Sequence, residues 1–383
     1  MPTKAASINP PRELLLNSWH AGTMDTMNIK IIGGGIAGLA SAIAVANAGG
    51  KATVFEKAAS FEPIGAGLQL GPNAARALQT LGAWHAIKPF TYAPPEIHMR
   101  DGRSGKILKR LTLGKTFEQR FGLPYLTAHR ADLHQALLEV ARSKPNISIK
   151  TKVEVENLFS DGFDGIIAAD GVWSKTREKL FPNSTAITTK DVYFRSLVPM
   201  PSNTLDINFE CVNLWLYPDG HVVHYPVGSA AQLNLVAITN GKEPKEFFKN
   251  ASDILQRVVA PPIEFSRWQS AYVAPLEQWH KANTTLIGDA AHATLPYLAQ
   301  GAAMALEDAA LLQTELKSNP EMAFENLSTK RKARTEQLHQ SSMRTGQIYH
   351  LSGAMGQTRN AALKLAPSVF IQNQLNWIYS YKV

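Results

Sequence analysis

The chain has 383 residues, of which 45% are hydrophobic and 18% are charged. This balance excludes a disordered, collagen-like or coiled-coil protein. The length predicts two or three domains with a core large enough to need no disulfides. The single cysteine, Cys211, permits no intrachain disulfide, so we expect a protein of a reducing compartment, the cytoplasm.

The net charge of +8 is concentrated near the C-terminus, where residues 327–383 contain eight basic residues and one acidic residue, Glu336. A nucleic-acid-binding protein would combine such a cluster with a known binding motif or with base-stacking aromatic residues, and neither accompanies it. We therefore expect no nucleic-acid partner. We interpret the cluster as a solvated basic helix face that can attract small anions.

Two N-terminal segments have some features of targeting or membrane sequences. Residues 1–26 contain an apolar run that is too short for a signal peptide, so we predict a flexible leader or a later start site. Residues 31–50 contain no charge but include six glycines. A strand, a turn and a helix explain these glycines, whereas a membrane-spanning helix does not, and we expect no membrane partner.

The glycines follow a strand and open a helix, as in a dinucleotide-binding site. The apolar segment 28–32 predicts a central parallel strand, and the small residues of 36–48 predict a helix. Gly33 permits the turn between them, Gly35 lets a pyrophosphate approach the backbone, and Gly38 lets the helix and the strand pack closely. This order of elements predicts a bound dinucleotide.

Further residues downstream bear on which dinucleotide binds. A second strand, 52–55, ends at Glu56, whose carboxylate can accept hydrogen bonds from a ribose diol. These features do not distinguish FAD from NAD. A later apolar strand ends in Gly288-Asp289, and the loop after it leads into a predicted helix, 302–316.

Gly288-Asp289 resembles the second FAD fingerprint of the single-component FAD-dependent aromatic hydroxylases. Residues 169–177, which include Asp170, are similar to the Asp-Gly motif of that family, which serves both flavin and nicotinamide. The likeness to the salicylate hydroxylases, the 3-hydroxybenzoate 6-hydroxylases and the 6-hydroxynicotinate 3-monooxygenases rests on residues 65–73, 129–133, 221–226 and 348–353. It runs from about Asn28 to the end of the chain.

The resemblance implies an α/β fold with a Rossmann-like FAD-binding domain, an inserted mixed-sheet substrate domain and a C-terminal helical segment. The expected ranges after the leader are 27–180 and 281–325 for the two parts of the FAD-binding domain, 181–280 for the substrate-binding β-sheet domain, and 326–383 for the C-terminal helices. The segments 149–166 and 239–265 are shorter than is usual in the family. This leaves open a flavin-binding protein without hydroxylase activity.

The implied activity is that of a monooxygenase that uses FAD, O2 and NADH or NADPH. It would hydroxylate a small phenolic or hydroxylated aromatic acid through a flavin C4a-hydroperoxide, with the nicotinamide nucleotide as a transient co-substrate. An NAD-dependent dehydrogenase is the alternative from another class, but it leaves Gly288-Asp289 without a role. The sequence does not choose between NADH and NADPH or between a monomer and a homodimer.

The resemblance also implies which residues bind the cofactor. Arg130 would contact its phosphate or ribose portion, the backbone of Val155 would touch the adenine, and Asp289 would hold the ribityl chain. The N-terminus of the helix at 302–316 would face the anionic part of the reduced flavin. The full set of candidates is Gly33, Gly35, Ala37, Gly38, Glu56, Lys57, Arg130, Val155, Asp170, Asp289, Gly301 and Ala302.

His221 and Tyr225 are candidates for catalysis on one strand face, which they share with Val223 because strand side chains alternate. His221 is the candidate base for a phenolic proton, and its alternative role is to bond a turn carbonyl. Tyr225 would orient the ring or serve as a core tyrosine. Arg195 would pair with a substrate carboxylate or form a structural ion pair.

Two further catalytic candidates precede the helix that would face the flavin. Pro296, which has no N–H, would help to shape a water-poor pocket, and Gln300 would bond the substrate or the flavin ring. His292 follows Gly288-Asp289 closely, and we expect it to hold the loop. No second type of metal ligand lies at a useful spacing from His292, so we expect no metal.

Overall fold

The structure is a computed structural model that describes residues 27–61, 66–158, 162–200, 207–228, 232–260 and 263–383. The predicted leader, 1–26, and the start of the predicted 65–73 stretch lie outside these residues. The strands of the described residues are β1 (Asn28–Ile32), β2 (Lys51–Phe55), β3 (Gly67–Leu70), β4 (Thr91–Tyr92), β5 (Glu96–Asp101), β6 (Ile107–Thr112), β7 (Leu126–His129), β8 (Ile147–Lys150), β9 (Gly165–Ala168), β10 (Ile187–Pro199), β11 (Val212–Tyr217), β12 (Gly220–Val227), β13 (Gln232–Thr239), β14 (Ser266–Tyr272), β15 (His280–Lys281) and β16 (Thr284–Leu286).

The helices of the same residues alternate with the strands in the first half of the chain and dominate its end. They are α1 (Ile36–Asn47), α2 (Pro72–Thr80), α3 (Trp84–Ile87), α4 (Gly114–Phe121), α5 (Arg130–Arg142), α6 (Lys175–Leu180), α7 (Pro244–Phe247), α8 (Asp253–Val258), α9 (Asp289–His292), α10 (Gly301–Ser318), α11 (Ala323–Tyr349), α12 (Gly353–Leu365), α13 (Ser368–Gln374) and α14 (Asn376–Tyr379), with 3₁₀ turns at Lys88–Phe90, Pro296–Leu298 and Pro320–Met322. None of the described helices is both long enough and apolar enough to span a membrane.

The first sheet has six strands in the order β15-β16-β9-β1-β2-β8. The central strand β1 pairs in parallel with β2 and β9, and its Ile29 and Ile31 are fully buried. Apolar residues on both faces of a central parallel strand suit a sheet that is covered on both sides. Helix α1 packs against α5 and α10, which confirms the predicted α/β, Rossmann-like fold.

The predicted elements around the glycines agree closely with the observed ones. Strand β1 has the predicted bounds, and strand β2 begins one residue before the predicted 52–55. Helix α1 ends one residue before the predicted 36–48, while α10 extends the predicted 302–316 at both ends. Strong apolar or small-residue patterns located these elements because the pattern lies within each element itself.

The second sheet has seven strands in the order β14-β10-β13-β12-β11-β5-β6. It is mixed, because β11 and β5 are parallel whereas the other neighbours are antiparallel. One face packs on a core that includes Phe194, Trp215 and Phe248. Strands β5 and β6 come from within the range 27–180, so this sheet also takes strands from the chain before residue 181.

A third, three-stranded sheet has the order β3-β7-β4, and its strands β7 and β4 contact β12 of the seven-stranded sheet. The backbone N–H of Gly67 in β3 donates to the side-chain oxygen of Asn234 in β13 over 2.6 Å. A Cβ atom on Gly67 would lie 2.6 Å from the Asn234 side chain and 2.7 Å from the Tyr225 ring. This glycine therefore permits the seven-stranded sheet to approach the smaller sheet closely.

The interpretation of residues 327–383 as a solvated basic face is wrong at the centre of α11. Arg331 is fully buried and pairs with Glu307 and Asp308, while Arg334 is 8% exposed and also pairs with Glu307. Arg359 is buried as well, and it donates to the carbonyl oxygens that end α11. The sequence could not reveal this pairing because the acidic partners of Arg331 and Arg334 lie on α10.

Candidate active site

The turn between β1 and α1 leaves space where a pyrophosphate is expected. Gly33 has φ +100°, and a Cβ atom there would lie 2.4 Å from the carbonyl oxygen of Ala169. A Cβ atom on Gly38 would lie 1.9 Å from the carbonyl oxygen of Gly33, whereas one on Gly35 would meet nothing within 4 Å. Helix α1 has no side-chain cap, so its first N–H groups are available to an anion.

Glu56 lies at the end of β2 and contacts the glycine-rich turn. One carboxylate oxygen accepts from the N–H of Gly34 and the other from the N–H of Ala58, both over 2.8 Å. His134 on α5 lies 2.7 Å through its Nε2 from the carbonyl oxygen of Gly34. No sequence motif points to His134. Both side chains therefore anchor the glycine-rich turn.

The Gly288-Asp289 turn lies beside this first site. Gly288 has φ +58°, and a Cβ atom there would lie 2.9 Å from the Cβ of Ala37 on α1. Its N–H donates to Asp308 over 3.0 Å, and His292 contacts the same carboxylate oxygen over 2.6 Å. His292 therefore holds the loop, as the sequence predicts.

Asp289 itself is solvent-exposed, yet the protein that surrounds it raises the pKa of its carboxyl group through desolvation. An accessible carboxylate in such surroundings is typical of the floor of a cleft. Arg130 at the start of α5 is near enough for its charge to favour ionisation of Asp289. The structure thus brings together two predicted cofactor-binding side chains that are far apart in sequence.

The Asp170 motif is connected to the Gly288-Asp289 turn by Arg177. This fully buried side chain donates to the carbonyl oxygens of Val172, Ser184 and Ala290. Arg177 is the last residue of the motif at 169–177, and the motif alone does not indicate a role for it. By spanning the two loops, it fixes their relative position.

The remaining predicted cofactor residues differ in how the structure uses them. The carboxylate of Asp170 accepts from Ser174 and Thr176, so it caps the short helix α6. Val155 is half-buried against Leu158, and Lys57 is exposed. At the start of α10, a Cβ atom on Gly301 would meet nothing within 4 Å, and both Gly301 and Ala302 are partly exposed.

One face of the seven-stranded sheet carries the candidate catalytic side chains. Arg195 on β10 lies opposite Val236 on β13, and Val236 lies opposite Val223 on β12. His221 and Tyr225 lie two residues before and two residues after Val223 on β12. Because side chains alternate along a strand, all three share one face of the sheet. Val223 and Val236 are partly exposed although the residues adjacent to them in sequence are mostly buried. They form an apolar floor between polar groups, a role that the sequence analysis did not assign.

Arg195 has no ion-pair or hydrogen-bond partner for its guanidinium among the described residues. The group lies 5.8 Å from the ring centroids of Tyr193 and Trp268. Burial lowers the pKa of Arg195, and repulsion by Arg130 adds to this shift. The predicted alternative of a structural ion pair therefore finds no partner in the described chain. A largely desolvated cation without a counterion favours an anionic ligand beside it.

His221 is buried and contacts a second histidine. Its Nδ1 lies 2.9 Å from Nε2 of His350, so the alternative in which it bonds a turn carbonyl does not describe its position. Its Nε2 has no hydrogen-bond partner among the described residues. Burial, followed by the effect of His350, lowers the pKa of His221 well below its ordinary value. The imidazole is therefore neutral near pH 7 and can accept a proton.

The loop before α10 faces the same region. Pro296 is exposed, and the ring of Tyr297 next to it has its centroid 5.6 Å from that of His221. Gln300 is buried, and its side-chain oxygen accepts from Asn73 over 2.9 Å. Burial raises the pKa of Tyr225 far above its ordinary value, so the hydroxyl keeps its proton and can donate it in a hydrogen bond.

Away from this region, Glu96, His98 and Cys211 form a group of possible metal ligands whose ligand atoms lie within 4.8 Å of one another. Glu96 and His98 already form a hydrogen bond over 2.6 Å. Burial raises the pKa of the Cys211 thiol to about 11. A thiol that stays protonated at neutral pH is a poor metal ligand, so these contacts are explained without an ion.

Comparison with known proteins decides the family. A family model described as an FAD binding domain matches residues 163–342. The chain is 32% identical to a 3-hydroxybenzoate 6-hydroxylase of Polaromonas naphthalenivorans (strain CJ2), over 93% of this chain and 96% of the relative. The protein belongs to the FAD-dependent aromatic hydroxylases. The predicted recognition, enzyme class and FAD cofactor are thereby confirmed, and the dehydrogenase alternative is set aside.

Two solved structures have the same fold. Klebsiella pneumoniae HpxO, complexed with FAD and uric acid, superposes with a TM-score of 0.82 at 21% identity, over 92% of this chain and 96% of that one. A salicylate hydroxylase substrate complex superposes with a TM-score of 0.76 at 23% identity, over 94% and 96% of the two chains. The residues of this aromatic hydroxylase fit FAD, because its glycine-rich turn, exposed Asp289 and open α10 terminus leave space for the cofactor next to the catalytic candidates.

Proposed function

We propose that this aromatic hydroxylase acts on a small phenolic acid, a ring that carries both a hydroxyl group and a carboxylate. The observation that supports this substrate class is the alignment of Arg195, Val236 and Val223 across three neighbouring strands, with His221 on the same face of the sheet. It combines a cation without a counterion, an apolar floor and a neutral base. The relative named 3-hydroxybenzoate 6-hydroxylase is named for a substrate that has the matching groups, a carboxylate, an aromatic ring and a hydroxyl group.

In the proposed complex, the guanidinium of Arg195 binds the substrate carboxylate through charge-assisted hydrogen bonds. The ring lies on Val223 and Val236, where burial of apolar surface stabilises it. Tyr225 donates a hydrogen bond that orients the ring. His221 accepts the phenolic proton at Nε2, which makes the ring more electron-rich and a better nucleophile.

Bound FAD supplies the redox chemistry, taking electrons from NADH or NADPH and activating O2 for transfer of one oxygen atom to the ring. The residues before α10 would line the site of oxygen transfer. Pro296 adds no N–H group to the cleft, and the buried Asn73 fixes Gln300. The free N–H groups at the start of α10 would stabilise negative charge on the reduced ring. A water-poor site favours oxygen transfer over release of hydrogen peroxide.

A panel of aromatic acids tests this proposal. The purified, FAD-loaded protein would be assayed for NADH and NADPH oxidation with salicylate, the other hydroxybenzoates and the hydroxynicotinates, and the products identified by mass. We expect at least one phenolic acid to accelerate oxidation and to gain one oxygen atom. Benzoate, which has no hydroxyl group, should bind without product.

The same assay tests the second candidate function, a flavin-binding protein without hydroxylase activity. The short segments 149–166 and 239–265 motivate it. If every phenolic acid that accelerates oxidation gave hydrogen peroxide alone, the hydroxylase proposal would fail. The compartment remains a prediction as well, since the single Cys211 suits the reducing cytoplasm.

A further inference from the structure

His350 brings a second imidazole to the candidate base, although it lies outside the sheet that carries His221. It directly follows α11, and its backbone is anchored on both sides. Its N–H donates to the carbonyl oxygen of Gly346, and its own carbonyl oxygen accepts from the N–H of Asp219 over 3.1 Å. Its side chain is 14% exposed. An anchored, mostly buried ring can hold a partner in one orientation.

Asp191 on β10 lies on the other side of the His350 ring. Its Oδ2 is 3.9 Å from Nδ1 of His350 and accepts the hydroxyl proton of Tyr297 over 2.6 Å. Its Oδ1 is buried and has no hydrogen-bond partner among the described residues. His350 therefore lies between a carboxylate and the candidate base.

This arrangement favours one distribution of protons over the ring nitrogens. The carboxylate of Asp191 favours a proton on Nδ1 of His350 and disfavours a lone pair there, because like charge repels the lone pair. Nε2 of His350 is then an acceptor, and it can be bonded only if Nδ1 of His221 donates. The opposite assignment would direct the Nδ1 lone pair of His350 at the carboxylate.

We infer that His350, together with Asp191, is a positioning residue that keeps the proton of His221 on Nδ1 and leaves Nε2 free as the base. This inference rests on the proposed function, in which Nε2 accepts the phenolic proton. In that step the phenolic O–H bond breaks and an N–H bond forms at Nε2. Nδ1 keeps its proton, and the positive charge that appears on His221 is stabilised through the acceptor nitrogen of His350.

Several charges around His350 act on this arrangement. Burial lowers the pKa of His350, Asp191 and Asp219 act in the opposite direction, and Lys190 and Arg359 add to the lowering. The rings of Tyr297 and His221 also lie beside the His350 ring. A neutral His350 near pH 7 is what the tautomer assignment requires, because a cationic ring has no acceptor nitrogen.

The tautomer can be read directly by NMR of the FAD-loaded protein without substrate, with ¹⁵N-labelled histidine. His221→Gln identifies the His221 signals. We expect Nδ1–H in the wild type and in His350→Gln, whose side-chain oxygen can still accept, and a mixture of tautomers in His350→Phe. A His221 ring protonated on Nε2 in the wild type would overturn the inference.

Kinetics separate positioning from a merely structural role. In His350→Phe we expect kcat to fall at least about tenfold with KM within threefold, and His350→Gln to recover most of the loss. His339→Gln is the matched control, because His339 is a half-buried histidine of α11 that contacts Tyr272 instead. Equal kcat values in His350→Phe and His339→Gln would contradict the inference.

The two experiments also distinguish the inference from the proposed function. The NMR assignment needs no substrate, so it remains informative whatever the enzyme acts on. If the wild type hydroxylates no phenolic acid, the proposed function fails while the tautomer result stands. If the wild type is active and the tautomer does not depend on residue 350, only the inference fails.

Discussion

Nδ1 of His221 lies 2.9 Å from Nε2 of His350, although 129 positions separate the two residues. One histidine belongs to the seven-stranded sheet and the other follows the long helix α11. Their contact fixes one nitrogen of His221 within the protein and leaves the other for a ligand. The catalytic candidate is thus defined as much by the C-terminal helices as by the strand that carries it.

The role of His221 as a base predicts a large effect of its removal. In His221→Ala we expect hydroxylation to slow about 100-fold or more, because general base catalysis contributes this much or more. FAD affinity, measured by fluorescence titration, should change less than threefold. The matched control is His224→Ala on the same strand, whose imidazole is buried on the opposite face near Trp215. Full turnover in His221→Ala would remove it from the mechanism.

Arg195→Gln tests recognition of the substrate carboxylate. A charge-assisted hydrogen bond contributes about 1.5–3 kcal/mol, so KM for a phenolic acid should rise about 10- to 100-fold. The same phenol without its carboxylate should bind equally to both proteins. Arg267→Gln removes an exposed arginine from the neighbouring strand β14 and should leave KM unchanged. An equal rise in both variants would point to net charge instead of a specific contact.

Two alanine variants distinguish a glycine that FAD binding requires from a glycine that the packing of the fold requires. Gly35→Ala places its Cβ in open space at φ −74°, so the apoprotein should keep its Tm while FAD affinity falls at least about tenfold. Gly38→Ala forces its Cβ against the carbonyl oxygen of Gly33 and should lower the Tm of the apoprotein itself. Differential scanning fluorimetry with and without FAD measures both effects. Normal FAD binding by Gly35→Ala would exclude a close pyrophosphate.

Asp289→Asn tests the second FAD contact. Loss of the negative charge should raise the Kd for FAD about tenfold, because hydrogen bonds to charged groups contribute about 1.5–3 kcal/mol. The apoprotein should remain as stable as the wild type, since Asp289 is exposed. Fluorescence titration of the apoprotein gives the Kd. An unchanged Kd would assign the ribityl contact to other residues.

The ionisation of Asp308 should make the free energy of unfolding depend on pH in the acidic range. Burial opposes its ionisation, but His292 and Arg331 outweigh this effect and lower its pKa to about 2. Because the pKa is lowered in the folded state, ionised Asp308 stabilises the fold at pH values above its unfolded-state pKa of about 3.8. This contribution of about 2 kcal/mol to the free energy of unfolding is lost as the pH falls from about 4 toward 2. Urea unfolding of the wild type and Asp308→Asn at pH 5 and pH 3 measures it. A stability gap that does not shrink at the lower pH would contradict the assignment.

The sequence by itself determined the FAD-binding half and the family. The glycines at 33, 35 and 38, the apolar strand β1 and the Gly288-Asp289 turn are local patterns, and each follows from backbone sterics or from burial within one element. For the same reason the predicted bounds of β1, β2, α1 and α10 were accurate to within two residues.

Only the tertiary structure decided which charges are paired and which polar groups meet. Arg331 and Arg334 belong to a basic run in the sequence, yet the fold buries them against acidic residues of α10, whereas Arg195 remains without an acidic partner in the described chain. The contact between His221 and His350 could not be predicted from the sequence either. Pairing energies depend on distances of a few ångströms, and these distances arise only when distant segments pack together.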